Sequence, residues 1–125
     1  MISNEREGTS GAPKSIALLL AQADQRPFEY FREGVEVSWI YGGSGVSPSA
    51  AFLRYAPGAR IPRHLHEGLE HILILRGSQQ DERGVYSEGT FVVNPPGSAH
   101  DVSSPDGCLV LIIWAKSVQF VAEGT

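Results

Sequence analysis

Residues 57–77, PGARIPRHLHEGLEHILILRG, constrain this chain more than any other stretch. Reduced to residue types, the stretch is Gly58, five residues, His64, one residue, His66, three residues, Glu70, six residues, Gly77. His64 and His66 are two apart, so on an extended strand both imidazoles project from the same face. Glu70 follows a short break at Glu67-Gly68 and opens the apolar run Leu69 to Leu75, which reads as the next strand. Two imidazoles and a carboxylate on adjacent strands converge on a point that suits a borderline divalent cation.

A second stretch completes the pattern: Gly89, five residues, Pro95, one residue, Gly97, two residues, His100. GARIPRHLHEGLEHILILRG and GTFVVNPPGSAH together resemble the two signature motifs of the cupin superfamily (RmlC-like) at their diagnostic positions. With AFLRYAPGA upstream and PPGS before the last histidine, the chain is most similar to the cupin domain of ChrR-type anti-sigma factors. The resemblance runs from about Val35 to Trp114. It implies an all-β, double-stranded β-helix (jelly-roll) barrel, with His64, His66, Glu70 and His100 as metal ligands. One position departs from the motifs, which usually end with Asn four residues after the last His; here Ser104 stands there. That Asn is not a ligand.

The rest of the chain bounds what such a barrel does. At 125 residues it is long enough for one domain with a real core. The expected layout is a flexible N-terminal tail over residues 1–14 and a cupin domain over 15–125, with its core at 35–114. A net charge of −4 without a basic cluster argues against a nucleic-acid partner. No stretch reaches the roughly eighteen apolar residues of a membrane-spanning helix. The opening MISNEREGTSGAPK is polar and mixed in charge, unlike a signal peptide. A single cysteine, Cys108, excludes an internal disulfide and fits a reducing cytoplasm, which is the expected location.

Short strands with Gly and Pro turns independently indicate an all-β barrel. VEVSWIY and AAFLRYA read as strands, Asp81 to Gly84 as a hairpin turn, and Pro95-Pro96 as the stop of GTFVVNPPGS. The run IALLLAQAD, within Ser15 to Asp24, is expected to be extended and to lie on the outside of the barrel. CLVLIIWA is apolar on both faces, and Leu73 and Leu75 share a face with His71, opposite Glu70, Ile72 and Ile74. That outer surface needs a cover, and a homodimer is expected to supply it. Should the chain be monomeric, Ser15 to Phe31 is the segment that must fold over it.

Three imidazoles and a carboxylate suit one divalent transition metal, Fe, Mn, Ni, Cu or Zn, with positions left open for a small-molecule ligand. His71 points away from the ligand face by alternation, and Cys108 reads as a buried, inert thiol. Arg54 and Arg60 flank the first ligand strand and are the candidates to hold an anionic substrate. No general base beyond the ligands stands out, which favours chemistry carried by the metal. The favoured class is a metal-dependent oxygenase, dioxygenase-like, or an isomerase. The alternative, implied by the resemblance, is a ChrR-like sensor without catalysis. In ChrR-type anti-sigma factors such a cupin responds to reactive oxygen and releases a sigma factor held by a separate N-terminal zinc domain. This chain starts close to the barrel and has no N-terminal His/Cys cluster, so it is not expected to be the whole of such a factor.

Overall fold

The computed structural model describes residues 15–121. The expected flexible tail, residues 1–14, lies outside the described residues. A helix α1 (Ile16–Gln22) and a single 3-10 turn (Ala23–Gln25) precede ten strands. These are β1 (Glu29–Arg32), β2 (Val35–Tyr41), β3 (Ser49–Tyr55), β4 (Ala59–Leu65), β5 (Glu70–Asp81), β6 (Gly84–Ser87), β7 (Phe91–Asn94), β8 (Ala99–Ser104), β9 (Cys108–Trp114) and β10 (Gln119–Phe120). Every strand pairing is antiparallel. The order β1-β2-β3-β9-β5-β8-β4-β10, with β6 and β7 also on β5, makes one curled sheet.

The long strand β5 makes the curl. Its first half pairs with β7 and β9, and its second half with β6 and β8, so one strand serves both walls of the barrel. The change of wall follows a register shift between Ile74 and Arg76. Gly77, at φ 74°, lies just beyond it, where a Cβ would run into the Gly107 carbonyl. Only glycine combines that left-handed backbone with so close an approach.

Alternation then sorts the side chains. Val35, Val37, Leu53, Ile72, Ile74, Val110 and Ile112 point inward and form the barrel core. The Asp81 to Gly84 hairpin and the stop of β7 before Pro95 stand where the turn chemistry put them.

The segment Ser15 to Asp24 corrects the extended reading: it is helical. Ser15 caps α1, its hydroxyl accepting from the Leu18 amide at 3.1 Å. Leu19 and Ala23, four apart, share the buried face. With Phe52, Leu75, Leu109 and Leu111 they form a second core, on the outside of the barrel, flanked by Phe28, Ile40 and Leu73. The intramolecular cover is therefore present, and it spans part of the outer face. Phe91, Val93 and Ile113 remain exposed beside it. No helix among the described residues is long and apolar enough to cross a membrane.

Candidate metal centre

The cluster begins with a defect in β4. Its register with β8 shifts between Ile61 and His64, around Pro62, which has no N–H to give to the ladder. The freed Pro62 carbonyl lies 2.9 Å from Nδ1 of His64. His66 follows just beyond the strand, and His100 on β8 stands directly opposite His64. Glu70 opens β5, flanked across the sheet by Asn94 on β7 and Trp114 on β9. Four residues from three strands and a turn are thus brought together, and all four are buried. Their ligand atoms lie within 4.8 Å of one another.

The partners of each ring fix its tautomer. The Pro62 carbonyl only accepts, so His64 carries its proton on Nδ1. Ser98 Oγ donates to the Pro95 carbonyl at 2.6 Å, so it accepts from Nδ1 of His66 at 2.9 Å. Asp81 accepts from Nδ1 of His100 at 2.9 Å, and from the Tyr86 hydroxyl and the Arg83 amide through its other oxygen. All three Nε2 atoms therefore present lone pairs inward. His64 Nε2 faces His100 Nε2 at 3.1 Å with no proton left to place between them. His66 Nε2 lies 3.0 Å from Glu70 Oε1 yet makes no hydrogen bond, because its proton is committed to Ser98.

Glu70 is held as an anion. Asn94 donates to its Oε1 at 2.9 Å and the Trp114 indole to its Oε2 at 2.7 Å. Burial pushes its pKa up, but without a metal a proton on His66, His64 or His100 stands in for the cation, and its attraction holds the carboxyl below its ordinary value. Burial pushes His64 down, favouring the neutral ring. Asp81 is also held low, the bonds from His100, Arg83 and Tyr86 outweighing its burial. Three neutral donors and one carboxylate, mutually repulsive as they stand, fit a cation at their centre.

Beside the cluster the barrel contains a chamber of about 20 Å³, room for roughly one water. Tyr55 and Ile72 are among its walls; Phe31, Trp114, Val118 and Phe120 separate it from a larger recess of about 250 Å³ at the barrel mouth.

Neither Arg54 nor Arg60 reaches this space. Arg54 alternates with the inward Leu53 and Tyr55, lies against Phe28 and pairs with Glu36 at 2.8 Å on the outer surface. Arg60 alternates with Ala59 and Ile61 and pairs with Asp101 at 2.8 Å. Both expected anchors thus pair with carboxylates on the outer surface, away from the chamber and the recess beside it. His71 packs flat on Phe91 on the outer face, as alternation requires. Ser104 is fully buried and donates to the Ser78 carbonyl at 2.6 Å, so this departure from the motif ties β8 to β5. Asp81, Asn94 and Ser98 escaped the sequence reading. Asp81 was legible only as a turn residue, because its role depends on the long-range pairing of β5 with β8.

The barrel and its three-histidine, one-glutamate cluster define a cupin of the RmlC-like type. Residues 17–118 match the ChrR cupin-like domain, and the chain belongs to that family. A curated relative, the putative dimethylsulfoniopropionate lyase DddL of Cereibacter sphaeroides, is 27% identical over 70 residues. That match covers 53% of this chain and 30% of the relative, so the chain corresponds to under a third of it. The acetylacetone dioxygenase of Acinetobacter johnsonii shares the fold with a TM-score of 0.70 and 14% identity, over 77% of this chain and 72% of that one. The structure of Rhodobacter sphaeroides SigE in complex with the anti-sigma ChrR matches with a TM-score of 0.68 and 21% identity, over 77% and 53%.

Proposed function

We propose that this chain is a small metalloenzyme of the dioxygenase type, acting on a small organic molecule at one divalent transition metal held by His64, His66, Glu70 and His100. The observation that carries the reading is the inward convergence of three Nε2 lone pairs and a carboxylate, each locked by its own partner. Bound there, the ion supplies Lewis-acid polarisation of substrate oxygens and, for a redox-active metal, reactivity toward O₂. The chain's residues supply the rest. Pro62, Ser98 and Asp81 hold the rings in their binding tautomer, and Asn94 and Trp114 fix the carboxylate. The apolar barrel keeps bulk water out. The apolar strip outside α1, with Phe91, Val93 and Ile113, is the surface offered to a second copy, and the reduced Cys108 fits a cytoplasmic setting.

A ChrR-like sensor is the second reading, favoured by family membership itself. Purified protein is expected to carry stoichiometric Fe, Mn, Ni or Cu by elemental analysis, and to consume O₂ with a β-diketone such as acetylacetone. Zinc, with binding but no turnover, would establish the sensor instead. Cleavage of dimethylsulfoniopropionate without O₂ uptake would move the chain to the lyases.

Asp81→Asn tests the supporting shell. An amide nitrogen toward His100 opposes the Nδ1 proton and drives it to Nε2, where it blocks ligation. Metal affinity by calorimetry is expected to fall about 10- to 100-fold.

A further inference from the structure

The recess at the mouth of the barrel is lined by aromatic rings and carries one charged side chain, Arg32 at the end of β1. Phe31, Trp39 and Trp114 pack in a triangle, with ring centroids 6.0 to 6.4 Å apart, and form an apolar wall. The Trp114 indole N–H is already committed to Glu70 and offers the recess no donor. Phe120 closes the inner side, its ring 5.7 Å from that of His64. The Arg32 guanidinium lies over the same Phe120 ring, 3.6 Å from its centroid. Arg32, Phe120 and His64 thus stand in a row from the mouth to the cluster.

Arg32 differs from five of the other described arginines, and Arg26 is held instead by Ser38 and the Trp39 carbonyl. Arg54, Arg60, Arg63, Arg76 and Arg83 each have a carboxylate partner. Arg32 has none among the described residues, although Glu29 shares its strand and Glu33 adjoins it. Contact with a ring face leaves the guanidinium fork available, and that fork matches a carboxylate in two parallel hydrogen bonds. The register shift of β1 between Tyr30 and Arg32 breaks the strand's alternation, so that Arg32 follows Phe31 into the lining of the recess.

We infer that Arg32 is the anion anchor of this site, and that the recess takes a small organic monoanion with a flat apolar body. The carboxylate or enolate docks on Arg32 and the body lies among Phe31, Trp39, Trp114 and Phe120. This assignment rests on reading the cluster as a metal centre that faces a substrate. It transfers to Arg32 the role that Arg54 and Arg60 do not fill. Aromatic walls also attract organic cations, but the Arg32 charge opposes a cation in the same space.

Three probes of one shape decide the matter: benzoate, benzamide and trimethylphenylammonium. The chain's two tryptophans, Trp39 and Trp114, both line the recess, so their fluorescence reports occupancy. The titrations are made first on chelator-treated protein, where benzoate has no metal to bind. Benzoate is expected to bind at least tenfold more tightly than benzamide, and the ammonium more weakly still. Arg32→Met is expected to abolish the preference for benzoate while leaving benzamide affinity unchanged. Arg32→Lys should keep part of the preference, and Arg54→Met all of it. A wild-type protein that binds the three alike, prefers the ammonium or binds none overturns the inference, as does an Arg32→Met protein that still prefers benzoate. The wild-type order needs no variant, so a poorly folded Arg32→Met protein leaves the test intact. Metal uptake is measured on the same preparation. A protein that takes up no metal yet ranks the probes as expected refutes the metal centre and retains the anchor.

Discussion

His64→Ala/His66→Ala is expected to fold into the same barrel and to retain no stoichiometric metal. The two rings are half of the donor set, and their removal leaves His100 and Glu70 alone around the centre. Each single change, and His100→Ala, should weaken binding by at least about 100-fold, beyond what loss of a supporting residue costs. Glu70→Gln should act as strongly. Both carboxylate oxygens accept hydrogen bonds, from Asn94 and Trp114, so an amide nitrogen must face one of these donors. Elemental analysis and calorimetry check these outcomes, and full occupancy in the double variant would refute the ligand set. Acid should act in the same direction. His64 is held below its ordinary value by burial, so the unfolded chain takes up its proton first as pH falls. Stability and metal affinity are both expected to decline below roughly pH 6.5, the unperturbed histidine value.

Phe52→Ala should be the most damaging change outside the metal centre. Phe52 is 1% exposed and lies outside the barrel, under α1, among Leu19, Leu75, Leu109 and Leu111. The Arg26 guanidinium sits over its ring at 5.0 Å. Truncation removes the centre of this second core and leaves a void between helix and sheet, at a cost of about 3–5 kcal/mol. Urea denaturation of chelator-treated protein measures the loss free of the stabilisation that bound metal adds. A loss below about 1 kcal/mol would mean that α1 is not held by this contact.

The barrel and the four convergent residues were legible because both depend on period two and on local spacing. His64 and His66 share a face whatever the strand pairs with, and proline ends β7 wherever the strand lies. The features that escaped depend on contacts between distant segments. Arg54 was placed near the site by its sequence neighbours, and alternation of β3 then turned it outward onto Glu36. Arg32 gave no local signal, since its position at the mouth follows from β1 pairing with β2 and from β10 bringing Phe120 beneath it. The helix α1 was read as extended because its apolar block, Ile16 to Leu20, is too short to show a period. The decisive cues were the Ser15 cap and the spacing of Leu19 and Ala23.

The outer cover also sets an order of events during synthesis. Seven residues do not hold a helix by themselves in water. The surface that holds α1 includes Leu109 and Leu111, on the penultimate strand. As the chain leaves the ribosome, α1 emerges before any strand and must wait, unfastened, until β9 has been made and has entered the sheet between β3 and β5. Among the described elements, the first to be made is thus one of the last to be secured. Until then the apolar run Ile16 to Leu20 and the outer faces of Phe52 and Leu75 are open to solvent together, and this nascent stage is where the chain is most exposed to misassociation.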